Sequence, residues 1–294
     1  MHYKIYMNNT IVLGADIGGS HITSALVDLN NRSILWNSYQ RQRVNSKGTI
    51  DEIVTAWLRS IKGSFESGHM GLKRVGIAMP GPFDYDKGIS FIKNGDKYEA
   101  LYGMNVKEMI FERLGIAAED ICMSNDAACF LQGEVFAGAA KGYESAIGIT
   151  LGTGLGTARY CHGKSEDVNL WCHPFRSSIA EEYLSTRWFV QRYFQLSGIR
   201  VTGVKKIADI CDIDKHAKTV FEEFAETFAE FLIQFIYIDR PDVIILGGNI
   251  SQASVLFLTS LNFHLKKSGF DIPVKIAALG EHAAILGAGS LLTG

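Results

Sequence analysis

Two carboxylates follow buried strands, where open α/β sheets bind their ligands. Asp16 lies in ADIGGS, in which Gly18 and Gly19 form a turn between two apolar, strand-like runs. Asp126 follows Asn125 in SNDAACFLQGE, between a strand and a helical run, so it can cap the helix or serve as a general base. As a base it would take the proton of a hydroxyl group that attacks phosphorus, while glycine turns and Mg²⁺ hold phosphates. The two roles are compatible.

A second glycine turn, GTGLG at residues 152–156, also lies between two strands. The dinucleotide fingerprint requires a helix after its glycines, which argues against NAD, and the chain contains no GxxxxGK[ST] P-loop. The backbone N–H groups of the turn, with the hydroxyls of Thr153 and Thr157, can bind phosphate oxygens. A tight hairpin without a ligand is equally compatible with the pattern. Two such turns, one in each half, favour a ligand bound between the halves.

A third turn ends the strand in PDVIILGGN, residues 241–249. Its paired glycines, Gly247 and Gly248, let an adenine or ribose ring approach the backbone closely. A simple helix start after the strand is the alternative, and the spacing does not decide between them.

The elements that must position these residues repeat along the chain. Each half opens with a β-hairpin that carries glycines at its turn and continues into α/β units, which predicts a gross internal duplication. The repeat predicts an N-terminal domain over residues 1–120, completed by the C-terminal helix at about 282–294, and a larger domain over 121–281. Phenylalanines at spacings of three and four predict a helix facing the core or a second subunit. They are Phe221, Phe224, Phe228, Phe231 and Phe235.

Bulk composition narrows the function classes. With 294 residues, 47% of them hydrophobic, the chain is globular, and its net charge of −2 provides no field for nucleic acid. Its apolar runs are too short to span a bilayer, so we expect a cytoplasmic protein with no membrane partner. Its five cysteines include no CxxC pair, which indicates reduced thiols.

Taken in order, six stretches resemble the motifs of the ROK family of sugar kinases and sugar-responsive repressors. They are ADIGGS, GIAMPGPFD, SNDAACFLQGE, GITLGTGLGTARY, PDVIILGGNIS and LGAGSLL. The resemblance implies an α/β protein with the actin-like ATPase (ribonuclease H-like) fold, in which two related domains enclose a cleft. It also implies ATP and Mg²⁺, with a hydroxyl of a hexose or N-acetylhexosamine, usually O6, as acceptor.

The resemblance also implies roles for individual residues. Asp126 matches the catalytic aspartate, Asn125 matches a sugar-contacting asparagine, and Asn94 is a looser match to a second one. Asp16 would organise Mg²⁺ through water. The residues expected at the nucleotide are Gly18, Gly19 and Ser20 in the first phosphate loop, Gly152, Thr153 and Gly154 in the second, and Gly247, Gly248 and Asn249 at the adenosine.

The chain departs from the family pattern in NLWCHPFRSSIAEEYLS. His173 keeps the family's histidine, but Leu170 stands where a glutamate is usual, and the zinc-binding cysteines are absent. A lone Cys172–His173 pair cannot supply a four-coordinate site, so we expect no zinc. Glu181 matches the glutamate that ends the zinc motif and is expected to accept a sugar hydroxyl; an exposed helix carboxylate is the alternative.

The leading hypothesis is an ATP-dependent sugar kinase with a small-molecule sugar as its partner. A DNA-binding regulator is less favoured, since the Asp16 turn begins too early for an N-terminal helix-turn-helix. A catalytically inactive sugar-binding relative is suggested by the altered segment 169–173, while retention of Asp126 speaks against it. Inorganic polyphosphate is an alternative donor. The phenylalanine stripe and the family resemblance predict a homodimer.

Overall fold

The computed structural model describes residues 10–68, 73–93 and 97–293. The chain forms two compact units, one built from residues up to Gly138 and from His282 onward, the other from Ala139–Glu281. The domain boundary that the sequence predicts, near residue 120, differs from this division. Residues 121–138 belong to the first unit because the strand at 121–125 joins its sheet and the following helix packs on the C-terminal helix.

The first unit is built around one mixed sheet. Its strands are β1 (Ile11–Ile17), β2 (His21–Asp28), β3 (Ser33–Arg43), β4 (Val75–Met79), the short β5 (Phe83–Asp84) and β6 (Ile89–Ser90), and β7 (Ile121–Asn125). Its helices here are α1 (Ile50–Glu66), α2 (Val106–Leu114) and α3 (Asp126–Ala137). In the described residues the main sheet has the order β3-β2-β1-β4-β7, with β1, β4 and β7 parallel. Parallel strands end at one edge, so the residues after β1, β4 and β7 share that edge.

Local sequence explains the boundaries of the helices. Thr49 and Glu52 form a capping box at the start of α1, in which each side chain bonds the other residue's backbone N–H. Buried residues at helical spacing, from Ile53 through Trp57 to Ile61, then hold α1 against the sheet. Gly115 ends α2 with a φ of 64°, a left-handed conformation that glycine adopts without strain.

The second unit has its own mixed sheet. Its strands are β8 (Ser145–Leu151), β9 (Leu155–Cys161), β10 (Lys164–Asp167), the short β11 (Pro174–Phe175) and β12 (Ser178–Ile179), β13 (Val243–Gly247) and β14 (Val274–Ile276). Its helices are α4 (Thr186–Ser197), α5 (Val204–Ala208), α6 (Lys215–Asp239) and α7 (Leu258–Lys267). The described strands of the main sheet run β10-β9-β8-β13-β14, with β8, β13 and β14 parallel.

The two sheets have the same plan, since each has an antiparallel meander followed by two parallel strands. In both, the hairpin between the first two strands of the unit carries the glycine turn. The predicted internal duplication is therefore confirmed at the level of topology.

The sequence IAEEYLSTRWFVQRYF, residues 179–194, predicts a helix that includes Glu181, but α4 begins later. Residues 180–182 form a 3-10 turn, and Ser185 adopts an extended conformation with φ −125° and ψ 167° before the helix starts at Thr186. The carboxylate of Glu181 bonds the β8–β9 hairpin, a tertiary contact that overrides the helical pattern of IAEEYLS.

The phenylalanine stripe lies in the core of the second unit. All five phenylalanines of α6 are at most 2% exposed, and Phe224 contacts Phe189, Phe228 and Phe257. Of the two predicted roles, the core-facing one is confirmed. Because the rings are covered by their own unit, the stripe provides no argument for a dimer.

The C-terminal helix α8 (Ala283–Ser290) packs into the first unit through glycines. A Cβ atom on Gly76 of β4 would lie 1.8 Å from the carbonyl oxygen of Ala288, and one on Gly133 of α3 would lie 2.0 Å from that of Ala283. Only glycine permits this approach, which links α8 to β4 and to α3, the helix that begins at Asp126. No helix in the described residues is both long and apolar enough to span a membrane.

Candidate active site

The first glycine turn joins β1 to β2 beside the half-buried Asp16. In the sheet register Asp16 stands opposite Thr23 of β2 and Ala78 of β4, at the edge where the parallel strands end. The Gly18 N–H donates to the carbonyl of His21 at 2.9 Å, which closes the turn. Gly19 and Ser20 are exposed, so their backbone is accessible to a ligand.

A buried tyrosine that the sequence did not single out holds this turn. The hydroxyl of Tyr98 donates to the carbonyl oxygen of Gly18 at 2.5 Å, and its ring makes an edge contact with Trp57. Burial raises the pKa of Tyr98 to about 12, and the negative charge of Asp16 also raises it. The phenol therefore stays protonated and acts as a donor to the turn at neutral pH. No sequence motif marks a partner 80 residues away.

Asn125 and Asp126 lie at the junction of β7 and α3. Asn125 is the N-cap, and its Oδ1 accepts the N–H groups of Ala127 at 2.7 Å and Ala128 at 3.3 Å. Asp126 is exposed at the first position of the helix, and its Oδ1 accepts the Ala127 N–H at 2.9 Å. Its Oδ2 has no hydrogen-bond partner in the part of the chain that is described. The sequence left open whether Asp126 caps the helix; here Asn125 is the cap.

Tyr85 connects Asn125 to the end of the neighbouring strand, β4, through two hydrogen bonds. The Tyr85 hydroxyl donates to the carbonyl of Met79, the last residue of β4, at 2.9 Å, and accepts from Asn125 Nδ2 at 3.3 Å. The other Nδ2 hydrogen of Asn125 is then the group it can offer to a ligand. Tyr85 is a second residue that the sequence analysis missed.

Asp16 and Asp126 share one electrostatic environment. Burial raises the pKa of the Cys129 thiol, and the charges of Asp16 and Asp126 raise it further. Both carboxylates are thus close enough to Cys129 to raise the pKa of the same buried thiol. This thiol therefore stays neutral at neutral pH.

The second glycine turn joins β8 to β9 in the second unit. The Gly152 N–H donates to the carbonyl of Gly154 at 3.0 Å. The N–H groups of Thr153 and Gly154 have no acceptor among the described residues, which leaves two successive donors for an anion. Thr157, by contrast, is buried and its hydroxyl accepts the Leu170 N–H at 2.9 Å, so its predicted contact with phosphate gains no support.

The third turn packs directly on the second. Gly248 has a φ of 82°, and a Cβ there would lie 2.3 Å from the carbonyl oxygen of Leu151, the residue before Gly152. Glycine is therefore required at 248 by both conformation and space. Gly247 ends β13, and Asn249 is exposed at the start of the following 3-10 segment. The two turns thus lie side by side within the second unit.

His173 and Glu181 are brought together at the base of the β11–β12 hairpin. The carbonyl of His173 accepts the Ala180 N–H at 3.1 Å, and Glu181 follows directly. Glu181 Oε2 accepts the Leu155 N–H at 3.0 Å, while His173 is exposed. Asn94 lies outside the described residues. Within the described ranges, no three His, Cys, Asp or Glu side chains are grouped as metal ligands.

Each unit, taken by itself, offers groups that suit part of a magnesium nucleotide. Two donors in the second turn suit phosphate oxygens, and the oxygens of Asp16 are the hard ligands, direct or through water, that Mg²⁺ prefers. The glycines of both turns have no Cβ atom, so phosphate can approach the backbone at these positions.

Two sheets of one strand order, each opening on a glycine hairpin, are the architecture of the actin-like ATPase fold. The sequence pattern of the ROK family matches residues 12–294, and the chain belongs to that family.

Relatives of this family include two that align with nearly the whole chain. A glucokinase of Thermotoga maritima is 22% identical and a N-acetyl-D-glucosamine kinase of Mannheimia succiniciproducens is 25% identical; each alignment covers 96% of this chain, and 96% and 99% of those proteins. The structure of a ROK family glucokinase from Streptomyces griseus in complex with glucose and AMPPNP matches with a TM-score of 0.74 and 24% identity, over 96% of this chain and 98% of that one. These relatives support the conclusion that the protein is a sugar kinase, and therefore a phosphotransferase.

Proposed function

We propose that this protein transfers the γ-phosphate of ATP to a hydroxyl group, O6, of a hexose or N-acetylhexosamine. The observation that carries the proposal is the carboxylate of Asp126, exposed at the first position of α3, a helix that the side chain of Asn125 caps. The names of the relatives, glucokinase and N-acetyl-D-glucosamine kinase, support the substrate class.

Asp126 acts as the general base. Its Oδ1 bonds the Ala127 N–H, which orients the carboxylate and leaves Oδ2 to accept the proton of the sugar hydroxyl. The deprotonating oxygen forms its bond to the γ-phosphorus as the bond from phosphorus to the β,γ-bridging oxygen breaks, and ADP leaves with that electron pair.

Asn125 and the second-unit segment hold the acceptor sugar. Asn125 donates its second Nδ2 hydrogen to a sugar hydroxyl, since its Oδ1 is occupied by two backbone N–H groups. His173 and Glu181 contact the sugar from the base of the β11–β12 hairpin. We keep Asn94 as a further sugar contact on the sequence match alone.

The glycine turns bind the nucleotide. Gly18, Gly19 and Ser20 contact its phosphates in the first unit, and Gly152, Thr153 and Gly154 do so in the second. Gly247, Gly248 and Asn249 contact the adenosine. Asp16 would hold Mg²⁺ through water, and the metal would supply positive charge that offsets the charge developing on the phosphates.

Phosphorylation is tested by an ADP-release assay over glucose, N-acetylglucosamine, N-acetylmannosamine, mannose and a β-glucoside, each with ATP and Mg²⁺. We expect turnover of at least one sugar, and for Asp126→Asn a fall in kcat of about 10²- to 10⁴-fold. Glu119→Gln is the matched control, because Glu119 is an exposed carboxylate just before β7. Its kcat should equal that of the wild type.

Two outcomes would contradict the proposal. Asp126→Asn with unchanged turnover would exclude the base assignment. Sugar binding by the wild type without turnover, with either ATP or polyphosphate as donor, would favour the inactive sugar-binding alternative suggested by the altered segment 169–173.

A further inference from the structure

The second glycine turn is tied on both sides by one segment outside the glycine motif. The N–H and the hydroxyl of Thr186 both donate to the carbonyl oxygen of Gly152, at 2.8 and 2.9 Å. On the other side, Glu181 Oε2 accepts the N–H of Leu155 at 3.0 Å. Residues 181–186 therefore hold both ends of the turn.

The hydrogen bonds from Thr186 are built into the start of α4. Ser185, the N-cap, makes no side-chain capping bond, so the first N–H groups of the helix need another acceptor. The carbonyl of Gly152 accepts from the first of them and thus replaces a cap. The position of the helix and the position of the turn depend on the same bond.

Each bond fixes a peptide plane of the turn. A peptide unit is planar, so anchoring the Gly152 carbonyl also orients the N–H of Thr153, one of the two donors without an acceptor in the described residues. Anchoring the Leu155 N–H likewise orients the carbonyl of Gly154, which accepts from Gly152. Within the turn, the peptide between Thr153 and Gly154 has no such anchor among the residues that the structure describes.

Glu181 lies in close contact with this turn. A Cβ on Gly154 would come within 2.8 Å of Glu181 Oε2, so the carboxylate occupies the space that glycine leaves. A negative charge beside an anion-binding turn is unfavourable unless it is compensated. The Leu155 N–H and the guanidinium of Arg187, 3.6 Å from Oε1, provide that compensation.

We propose that Glu181 and Thr186 are positioning residues for the nucleotide: they hold the second glycine turn in the conformation that binds phosphate. The inference rests on the proposed function, in which this turn contacts ATP. This role differs from the sugar contact proposed for Glu181. Thr186 is not proposed to contact the sugar, so a loss of nucleotide affinity on replacing Thr186 is expected only from its bonds to the turn.

The test measures the affinity of Mg·ADP by titration calorimetry, together with the KM values for ATP and sugar. Thr186→Val removes the hydroxyl and keeps the shape of the side chain, while Glu181→Ala removes the acceptor. We expect each to weaken ADP binding by about 3- to 10-fold, as the loss of one hydrogen bond predicts. The KM for ATP should rise in parallel in both variants.

Conservative variants provide the rescue. Thr186→Ser keeps the donor and Glu181→Gln keeps an acceptor, so both should recover ADP affinity to within about twofold of the wild type. Thr219→Val is the matched control, since the Thr219 hydroxyl also bonds a backbone carbonyl, that of Lys215, but in α6. It should leave ADP affinity unchanged.

The outcomes separate this inference from the proposed function. Unchanged ADP affinity in Thr186→Val and Glu181→Ala would overturn the inference, even if the wild type phosphorylates a sugar. A rise in the sugar KM alone in Glu181→Ala would do the same, since it would make Glu181 a sugar contact only. If the wild type binds Mg·ADP but phosphorylates no sugar, the proposed function fails, while the affinities of the variants still decide the inference.

Discussion

Replacing Asn125 by alanine or aspartate should separate the two functions of this side chain. Its Oδ1 accepts two N–H groups at the start of α3, and its Nδ2 donates to Tyr85. Alanine removes both kinds of group. Aspartate keeps the acceptor that caps the helix and removes the amide hydrogens, including the one that we propose for the sugar.

The magnitude follows from burial and bond count. Loss of an N-cap costs about 1 kcal/mol. The N–H of the buried Ala128 would lose its acceptor, whereas the Ala127 N–H would keep its bond to Asp126 Oδ1. An unsatisfied buried amide costs about 1–3 kcal/mol, so we expect Asn125→Ala to lower the free energy of unfolding by about 2–3 kcal/mol. For Asn125→Asp the change should stay within about 1 kcal/mol, because favourable charge at the helix N-terminus offsets repulsion from Asp126.

Urea unfolding followed by circular dichroism measures the first effect, and the KM for the sugar measures the second. We expect the sugar KM of Asn125→Asp to rise about tenfold, which corresponds to the loss of one hydrogen bond. If Asn125→Asp is destabilised as much as Asn125→Ala, the capping argument is wrong. If its stability and its sugar KM both equal those of the wild type, Asn125 donates no hydrogen bond to the sugar.

Three further perturbations test other parts of the structure. Gly76→Ala should lower the free energy of unfolding by at least about 2 kcal/mol, because its Cβ would meet the Ala288 carbonyl. Gly203→Ala is the control, since open space surrounds Gly203 and the free energy of unfolding should not fall in this way. Thermal unfolding compares the two variants. The pKa of Tyr98 in the folded state, about 12, exceeds its value near 10 in the unfolded state. The contribution of the protonated phenol to the stability of the folded state is therefore complete below pH 10 and is lost as the pH rises through 12. Between pH 9 and 12 the wild type should therefore lose about 2–3 kcal/mol more than Tyr98→Phe in urea unfolding, and parallel losses would contradict this. Asp16→Asn should raise the Mg²⁺ concentration for half-maximal turnover by about 10-fold or more, and an unchanged magnesium titration would exclude Asp16 from the metal site.

Sequence patterns were sufficient where a residue's role depends on its own element. The strand that ends at Asn125 and the helix that follows placed Asp126 at a strand terminus, and the alternation around Gly18 and Gly152 predicted both hairpins. The stripe that includes Phe224 was enough to predict a helix, but not which surface would cover it. That choice depends on packing against residues such as Phe189 and Phe257, which are distant in sequence.

Patterns failed where the role depends on a hydrogen bond across the fold. Tyr98 lies 80 residues from the carbonyl it bonds, in a stretch with no motif, and Thr186 is 34 residues from Gly152. The helical pattern at Glu181 pointed to a continuous α4, because periodicity does not register that a carboxylate is bonded elsewhere. Such bonds are specified by three-dimensional proximity, which the order of residues encodes only indirectly.

The two glycine turns are anchored in the same manner by unrelated residues. In each, a hydroxyl donates to the carbonyl of the first glycine: Tyr98 to Gly18 and Thr186 to Gly152. A glycine peptide can rotate between several orientations, and phosphate binding would have to select one of them. Anchoring the carbonyl fixes the next N–H in the same plane before any ligand arrives, and so lowers the entropy lost on binding. Because either a phenol or a threonine hydroxyl meets this requirement, the anchor need not keep its residue type or sequence position when a glycine turn is duplicated.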